Sequence, residues 1–383
     1  MDISFNEDQI EITNQAHRFL EKECPADFVR QMYEDEKGFT DELWSKMAEM
    51  GWMGMAIPEQ YNGVGLGMTD LCIILEEMGR VILPGPYFST VMLAAEALKA
   101  AGSDSQKENY LSGIAVGETR GTLALFEPEG GAQPGYIRME AKSENGGFIL
   151  NGSKLFVPDA HVSDFMVVAA RTKPGDDPTD GVTLFLVDTK TPGVSITPLI
   201  TMDGSRKQSA VRFEGTKVSS DNILGEINNG WNPLSRVLGR AQVGLAAENV
   251  GGAQKVMEIA VDYAKIRVAF DQPIGAYQAV KHMCSQMLVE VEGSRSMLYY
   301  AAWAQDEEEP LQAALAASVS KSHCSEAYNN VCRDCIQVLG AIGFTWEHDA
   351  HLYLKRAKAN QVALGDTAFH REEIARLIGC DEK

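Results

Sequence analysis

Several ingredients are scarce enough in this sequence to exclude whole classes of protein. Basic residues are in deficit: 34 Lys plus Arg face 54 Asp plus Glu, a formal charge of −20, which argues against nucleic acid or an anionic membrane as partner. An anionic ligand would need a local basic site. No uninterrupted apolar run reaches the ~18 residues of a spanning helix. The start, Met1-Asp-Ile-Ser-Phe-Asn-Glu-Asp8, lacks the cationic head and apolar core of an export signal, so the chain is expected to be the whole mature protein. Cysteine is sparse and odd in number. Cys24, Cys72, Cys284, Cys324, Cys332, Cys335 and Cys380 do not make a disulfide scaffold, and a reducing, cytoplasmic setting is expected. Cys332-Arg-Asp-Cys335 is a single pair inside a helix-like stretch, with no second pair to complete a tetrahedral zinc site. It reads as structural, and no metal is expected. There is also no GxGxxG after a strand and no Walker A sequence, so a nucleotide cradled by a parallel-sheet glycine loop is not expected.

The 383 residues exceed one ordinary core, and two or three packed domains are expected. From Asn6 to about Leu111 the pattern is helical: Ile10, Ile12, Ala16, Phe19 and Leu20 recur at helical spacing, and further helices are predicted at Asp41 to Met50 and Asp70 to Met78. Pro58-Glu-Gln-Tyr-Asn-Gly-Val-Gly65 interrupts them as a breaker-rich loop. Between Gly121 and about Gly225 the texture changes to short β-favouring runs at Gly147 to Leu150, Phe165 to Ala170, Val182 to Val187, Val194 to Thr197 and Ala210 to Phe213. That spacing reads as an antiparallel barrel or sandwich. From about Pro233 to Gly379 long amphipathic helices return and read as a bundle.

Local sequences sharpen this order. Pro58-Glu-Gln-Tyr-Asn-Gly-Val-Gly-Leu66 resembles a PExxGGxGL loop, and Gly152-Ser-Lys-Leu-Phe156 resembles a GxKxWI strand. Met202-Asp-Gly-Ser-Arg206 through Phe213 and Asn222-Ile-Leu-Gly225 resemble closing strands of the same β domain. The most specific segments are Tyr263-Ala-Lys-Ile-Arg-Val-Ala-Phe270 with Gln272-Pro-Ile-Gly275, and Gln337-Val-Leu-Gly340-Ala-Ile-Gly343-Phe-Thr-Trp-Glu-His348. Together these resemble the acyl-CoA dehydrogenase family across nearly the whole chain. The resemblance implies an α+β multidomain protein: an N-terminal α-helical domain (1–120), a middle antiparallel β-barrel domain (121–226) and a C-terminal four-helix bundle (227–383). It also implies FAD, an acyl-CoA substrate, an electron-transfer flavoprotein or similar acceptor, and a homotetramer or a heterotetramer with a paralogous subunit.

In the family the two specific segments, from different subunits, grip the FAD adenylate and pyrophosphate. Arg267 offers bidentate donors to a pyrophosphate, Phe270 an apolar face, and the glycines near Gly340 let backbone amides approach phosphate oxygens. Gln272 and Gln337 belong to the same set. Around the flavin the resemblance places Leu125 and Phe126, from a loop that in the family reads TEPxxGSD and here reads Phe126-Glu-Pro-Glu-Gly-Gly-Ala132, and also Phe156 and Pro158. Phe156 stands for the usual Trp and Pro158 for a Thr whose hydroxyl approaches the flavin, so the redox tuning is expected to differ.

The family's reaction removes the α-proton of the thioester with a carboxylate while the flavin accepts the β-hydride, which demands an acidic side chain at the flavin. The usual Glu of a YEGT-like segment is missing from Lys358-Ala-Asn-Gln-Val-Ala-Leu-Gly-Asp-Thr367, where Leu364 stands in its place. The alternative early position in the first long C-terminal helix holds Ala241. Asp366 and Glu248 are the candidate substitutes. Their competing roles are, for Asp366, capping the helix that starts near Thr367 and, for Glu248, a partly exposed, solvated helix carboxylate. A degenerate subunit that completes an FAD site without a base of its own is the alternative reading. Tyr87 and Phe88, in Leu83-Pro-Gly-Pro-Tyr-Phe-Ser-Thr90, are candidate walls for a bulky, branched or cyclic acyl group, and Arg240 is a candidate substrate contact.

Overall fold

Asn6 opens the first helix: its side chain accepts from the Gln9 amide at 2.8 Å, and the Gln9 side chain accepts from the Asn6 amide at 3.2 Å, a reciprocal cap. In the computed structural model, which describes residues 5–380, α1 (Glu7–Glu23) is followed by α2 (Ala26–Glu34), α3 (Asp41–Glu49), α4 (Met68–Arg80), α5 (Glu96–Ala101) and α6 (Asp104–Ala115). Residues 1–4 of the acidic start lie outside the described residues. A π-helical segment, Phe88–Ala95, leads into α5. Eight strands come next: β1 (Gly121–Ala124), β2 (Glu140–Glu144), β3 (Gly147–Pro158), β4 (Phe165–Arg171), β5 (Val182–Asp188), β6 (Val194–Leu199), β7 (Gln208–Ser219) and β8 (Ile223–Leu224). The helical end is α7 (Trp231–Ile266), a small hairpin β9 (Val268–Ala269) and β10 (Gln272–Pro273), then α8 (Gln278–Glu307), α9 (Pro310–Leu339), α10 (Ala350–Val362) and α11 (Thr367–Leu377).

The chain divides into two compact units, Met1–Gln31 with Gly67–Leu83 and Gln242–Lys383, and Met32–Leu66 with Pro84–Ala241. In the first, α9 packs against α8, α10 and α11, while α4 packs against α1 and α8. Small side chains make that close approach feasible: Ala317, Ser320, Cys324 and Ala327 of α9 are buried. Cys332 and Cys335 are likewise buried in α9, and burial pushes the Cys335 thiol up to about 12.

The second unit is organised by a sheet in the order β6-β7-β3-β2-β4-β5-β8, with β1 added beside β4. Its core is an apolar cluster that includes Leu150, Val168, Phe185, Val211 and Phe213. All five strand runs read from the sequence are present, but the sheet is not antiparallel throughout. β1 and β2 both pair in parallel with β4. Neither reaches β4 through a tight turn, because β3 intervenes in the chain, and a parallel pair needs such a crossover. Among the described residues, no helix is long and apolar enough to cross a membrane.

Candidate functional site

Left-handed backbone is unfavourable for bulky side chains and collects where surrounding structure forces it. Of the described non-glycine residues with positive φ, four are bulky and apolar: Ile82, Phe156, Phe270 and Leu364. Three of them coincide with segments that the sequence singles out for cofactor or base.

In the second unit the strain sits on β3. The pairing of β3 with β7 shifts register between Lys154 and Val157, a bulge that lifts Leu155 and Phe156 out of the ladder. Phe156, at φ 53, is left 52% exposed. The same bulge gathers the other flavin candidates. The Leu155 amide donates to Phe126 O at 2.9 Å, and the Thr122 hydroxyl donates to Pro158 O at 2.6 Å. Leu125 is held from behind by Lys154, whose ammonium donates to Leu125 O at 3.1 Å and to Glu127 Oε1 at 2.6 Å. Glu127 also accepts from the Arg138 and Met139 amides. Lys154 is wholly buried, and burial, opposed by the Glu127 carboxylate, brings its pKa down to about 8. Leu125, Phe126, Phe156 and Pro158 are therefore one cluster.

In the first unit the strain sits on a turn. Phe270 and Asp271 have φ of 50 and 65, the pair of left-handed residues that joins two strands through a tight primed turn. The hairpin is braced by the Ile274 amide on Arg267 O at 2.8 Å and by the Tyr277 hydroxyl on Ala269 O at 2.9 Å. Phe270 is thrust out, 91% exposed, beside exposed Arg267 and Gln272. Gln337 is exposed on the last turn of α9, and Gly340 ends that helix at φ 67, ψ −142, a conformation open essentially to glycine alone. A Cβ at Gly340 would meet nothing within 4 Å, so the backbone and not crowding demands the glycine.

The two candidate bases have different surroundings. Asp366 is exposed and caps α11: one carboxylate oxygen accepts from the Phe369 amide at 2.8 Å. It ends a tight turn in which Leu364 has φ 57 and Gly365 φ 103. Glu248 is buried in α7. Its Oε2 lies 3.9 Å from Arg356 and accepts from Asn360 Nδ2 at 3.4 Å. Glu248 is thus not the solvated helix carboxylate of the competing sequence reading. Ala241 is buried as well.

The acyl-wall candidates are interior residues of the second unit. Tyr87 is buried, its hydroxyl donating to Trp52 O at 2.9 Å, and Phe88 starts the π-helical segment with Arg206 stacked 4.9 Å from its ring centroid. Arg240 is turned to Glu96, 2.8 Å away, and Lys99 pairs with the other Glu96 oxygen at 2.7 Å. Sequence reasoning missed two buried lysines, Lys154 with Glu127 and Lys321 on α9. A signal existed for Lys321, which shares its helix face with Ala317 and Cys324, where a charge is out of place.

Residues 6–118, 122–218 and 228–379 match the models of the N-terminal, middle and C-terminal domains of acyl-CoA dehydrogenase. The chain is 33% identical over 347 residues to 3-(aryl)acrylate reductase of Clostridium sporogenes, covering 89% of this chain and 90% of that one. It is 31% identical over 378 residues to the CarC subunit of the caffeyl-CoA reductase-Etf complex of Acetobacterium woodii, covering 98% and 99%. Among solved structures it resembles a chain of the ChsE4-ChsE5 complex of Mycobacterium tuberculosis, with TM-score 0.89, 26% identity and 100% coverage of this chain and of that one. It also resembles an FAD complex of PigA, with TM-score 0.91, 26% identity and 99% coverage of each. With all three domain models matched in order over nearly its whole length, the chain belongs to the acyl-CoA dehydrogenase family, FAD-dependent oxidoreductases acting on a CH–CH bond.

Proposed function

We propose that this chain catalyses α,β-dehydrogenation of an acyl-CoA thioester to the enoyl-CoA, with Asp366 as base and a bulky or cyclic acyl group as substrate. The observation that carries the reading is the coincidence of left-handed backbone with Phe156, Phe270 and Leu364, because such strain is kept where a site requires it. The residues present fit FAD. Exposed Phe156 and Phe270 offer apolar faces, Arg267 is an exposed guanidinium with no ion pair or hydrogen bond among the described residues, and the backbone at Gly340 is open. When bound, FAD supplies the acceptor for the substrate's β-hydride. Arg267 and the backbone near Gly340 would hold its pyrophosphate, with Gln272 and Gln337 alongside, while Leu125, Phe126, Phe156 and Pro158 would shape the flavin side.

Asp366 is favoured over Glu248 as base because it is exposed, whereas Glu248 is buried between Arg356 and Asn360. Capping engages one Asp366 oxygen, and the carboxylate receives the α-proton. The substrate class is supported by relatives whose names specify aryl-acrylate and caffeyl-CoA reduction, and by the π-helical segment behind Phe88, a distortion frequent at functional sites. An electron-transfer flavoprotein is the proposed electron partner, as the name of the Acetobacterium relative suggests for that protein. A second reading, a base-lacking subunit of a heteromer, is favoured by one observation: each candidate carboxylate already has a structural task.

The test is a flavin spectrum of the chain expressed alone, then anaerobic titration with linear, branched and aryl acyl-CoAs. Bleaching by an aryl or branched acyl-CoA that Asp366→Asn abolishes supports the first reading. A colourless or inert chain that acquires flavin and activity with a paralogous subunit supports the second.

A further inference from the structure

A chain of buried polar groups runs through the first unit from Glu248 to the turn that carries Leu364. Asn360 Nδ2 donates to Glu248 Oε2 and, at 3.0 Å, to Asn249 Oδ1. Asn249 Nδ2 donates to Ser325 Oγ at 3.2 Å. Lys321 donates to the same Ser325 Oγ at 3.1 Å, to Gln361 O at 3.4 Å and to Gly365 O at 3.1 Å. Glu248, Asn249, Lys321, Ser325 and Asn360 are all buried. Three acceptors face Lys321, and an ammonium has three donors whereas a neutral amine has two.

We infer that Lys321 is the positioning residue of the Ala363–Asp366 turn: its ammonium ties the carbonyls at both sides of Leu364 to α9 and links them through Ser325 and the two asparagines to Glu248. This rests on the reading that the turn serves the acyl-CoA reaction. The geometry explains how Leu364 is kept at φ 57 and why Gly365, at φ 103, admits no side chain. A Cβ there would lie 2.3 Å from Phe369 Cδ1 and 3.0 Å from His370 Nε2.

The charge of Lys321 is finely balanced. Burial lowers its pKa to about 7, against the opposing influence of Cys324 and Asp366. Cys324, on its own helix, is pushed up to about 12, chiefly by burial. His370, facing it from α11, is brought down to about 4 by burial and then by the lysine's charge. α7 contributes Asn249 and, beyond it, Glu248, and α8 contributes Ser294 to Cys324. Lys321 thus titrates near neutral pH, between His370 below it and Cys324 above it, and its deprotonation removes one of the three donors.

The test is amide hydrogen exchange over Asn360 to Arg371, corrected for the intrinsic rate, at pH 6 to 9, with Arg267 to Gly275 as internal control. In the wild-type chain exchange should rise about tenfold with a midpoint near the lysine's pKa, because a local opening that leaves Lys321 buried strips its ammonium of two carbonyls and favours the neutral amine, whereas global unfolding hydrates it; the control stays flat. Lys321→Met should show the fast rate at every pH, and its rate of flavin reduction at saturating acyl-CoA should fall about tenfold with KM held. A turn that exchanges alike at pH 6 and pH 9 in the wild-type chain overturns the inference, whether or not the variant folds. The exchange readout needs no turnover, so an inert chain with a pH-dependent turn would overturn the proposed reaction and leave the positioning role standing.

Discussion

Among the described residues each compact unit buries one lysine at zero exposure, and the two are answered differently. Lys154 meets a carboxylate, Glu127, at 2.6 Å. Lys321 meets a hydroxyl and two carbonyls and no carboxylate within hydrogen-bond reach, although exposed Asp366 exerts a favourable charge influence on it. The consequence is graded: burial lowers the first pKa to about 8 and the second to about 7. A charge partner holds Lys154 as a permanent clamp behind the Leu125–Phe126 loop. Neutral acceptors leave Lys321 poised, which suits a residue under a turn expected to bear on catalysis.

The comparison breaks if Glu127→Gln is tolerated. That variant leaves Lys154 buried without a countercharge and should cost about 3 kcal/mol of stability and most of the bound flavin, read by denaturant unfolding and by the flavin-to-protein ratio. A pH series sharpens it next. Unfolded Lys321 keeps its proton up to its ordinary 10.5, the folded group only up to about 7. In that window the unfolded chain binds more protons, so this residue's contribution to stability rises with pH, by up to about 1.4 kcal/mol per pH unit. Lys321→Met lacks the term, and the stability of wild type minus variant should climb between pH 7 and 10. Asp366→Ala removes the helix cap and should cost about 1 kcal/mol, whereas Asp366→Asn keeps the cap and should cost nearly nothing while abolishing turnover. Equal losses of activity and stability in both variants would assign Asp366 to capping alone. The smallest stability change is expected for an exposed cation: Arg267→Ala should shift unfolding by less than about 0.5 kcal/mol yet lower the flavin content.

Much of the architecture was legible because it depends on local pattern. The strand runs at Phe165 to Ala170 and Val182 to Val187 appear within one residue of their expected ends, since continuous apolar β-branched runs bounded by turns have few alternatives. The helix expected at Asp70 to Met78 appears as Met68–Arg80. β1 and β2 were not read at all. β1 is four residues long and β2 is Glu-Ala-Lys-Ser-Glu, too short or too charged to declare themselves without their neighbour β4. At the site, Arg267, Phe270 and Gly340 were legible as motif residues, but no spacing rule brings Lys154 to a carboxylate 27 positions away or joins Glu248 to Asn360 across 112.

By itself the sequence determined the order of helical and β regions, the family, and thereby FAD, because these rest on periodicity and on short motifs that survive divergence. The tertiary structure alone decided that Phe156, Phe270 and Leu364 sit in left-handed backbone, that Glu248 is buried against Arg356, and that Lys154 and Lys321 lie wholly inside the protein. The physical reason is that strain and desolvation are properties of surroundings: they arise only when distant segments close around a residue, and no window of sequence contains those segments together.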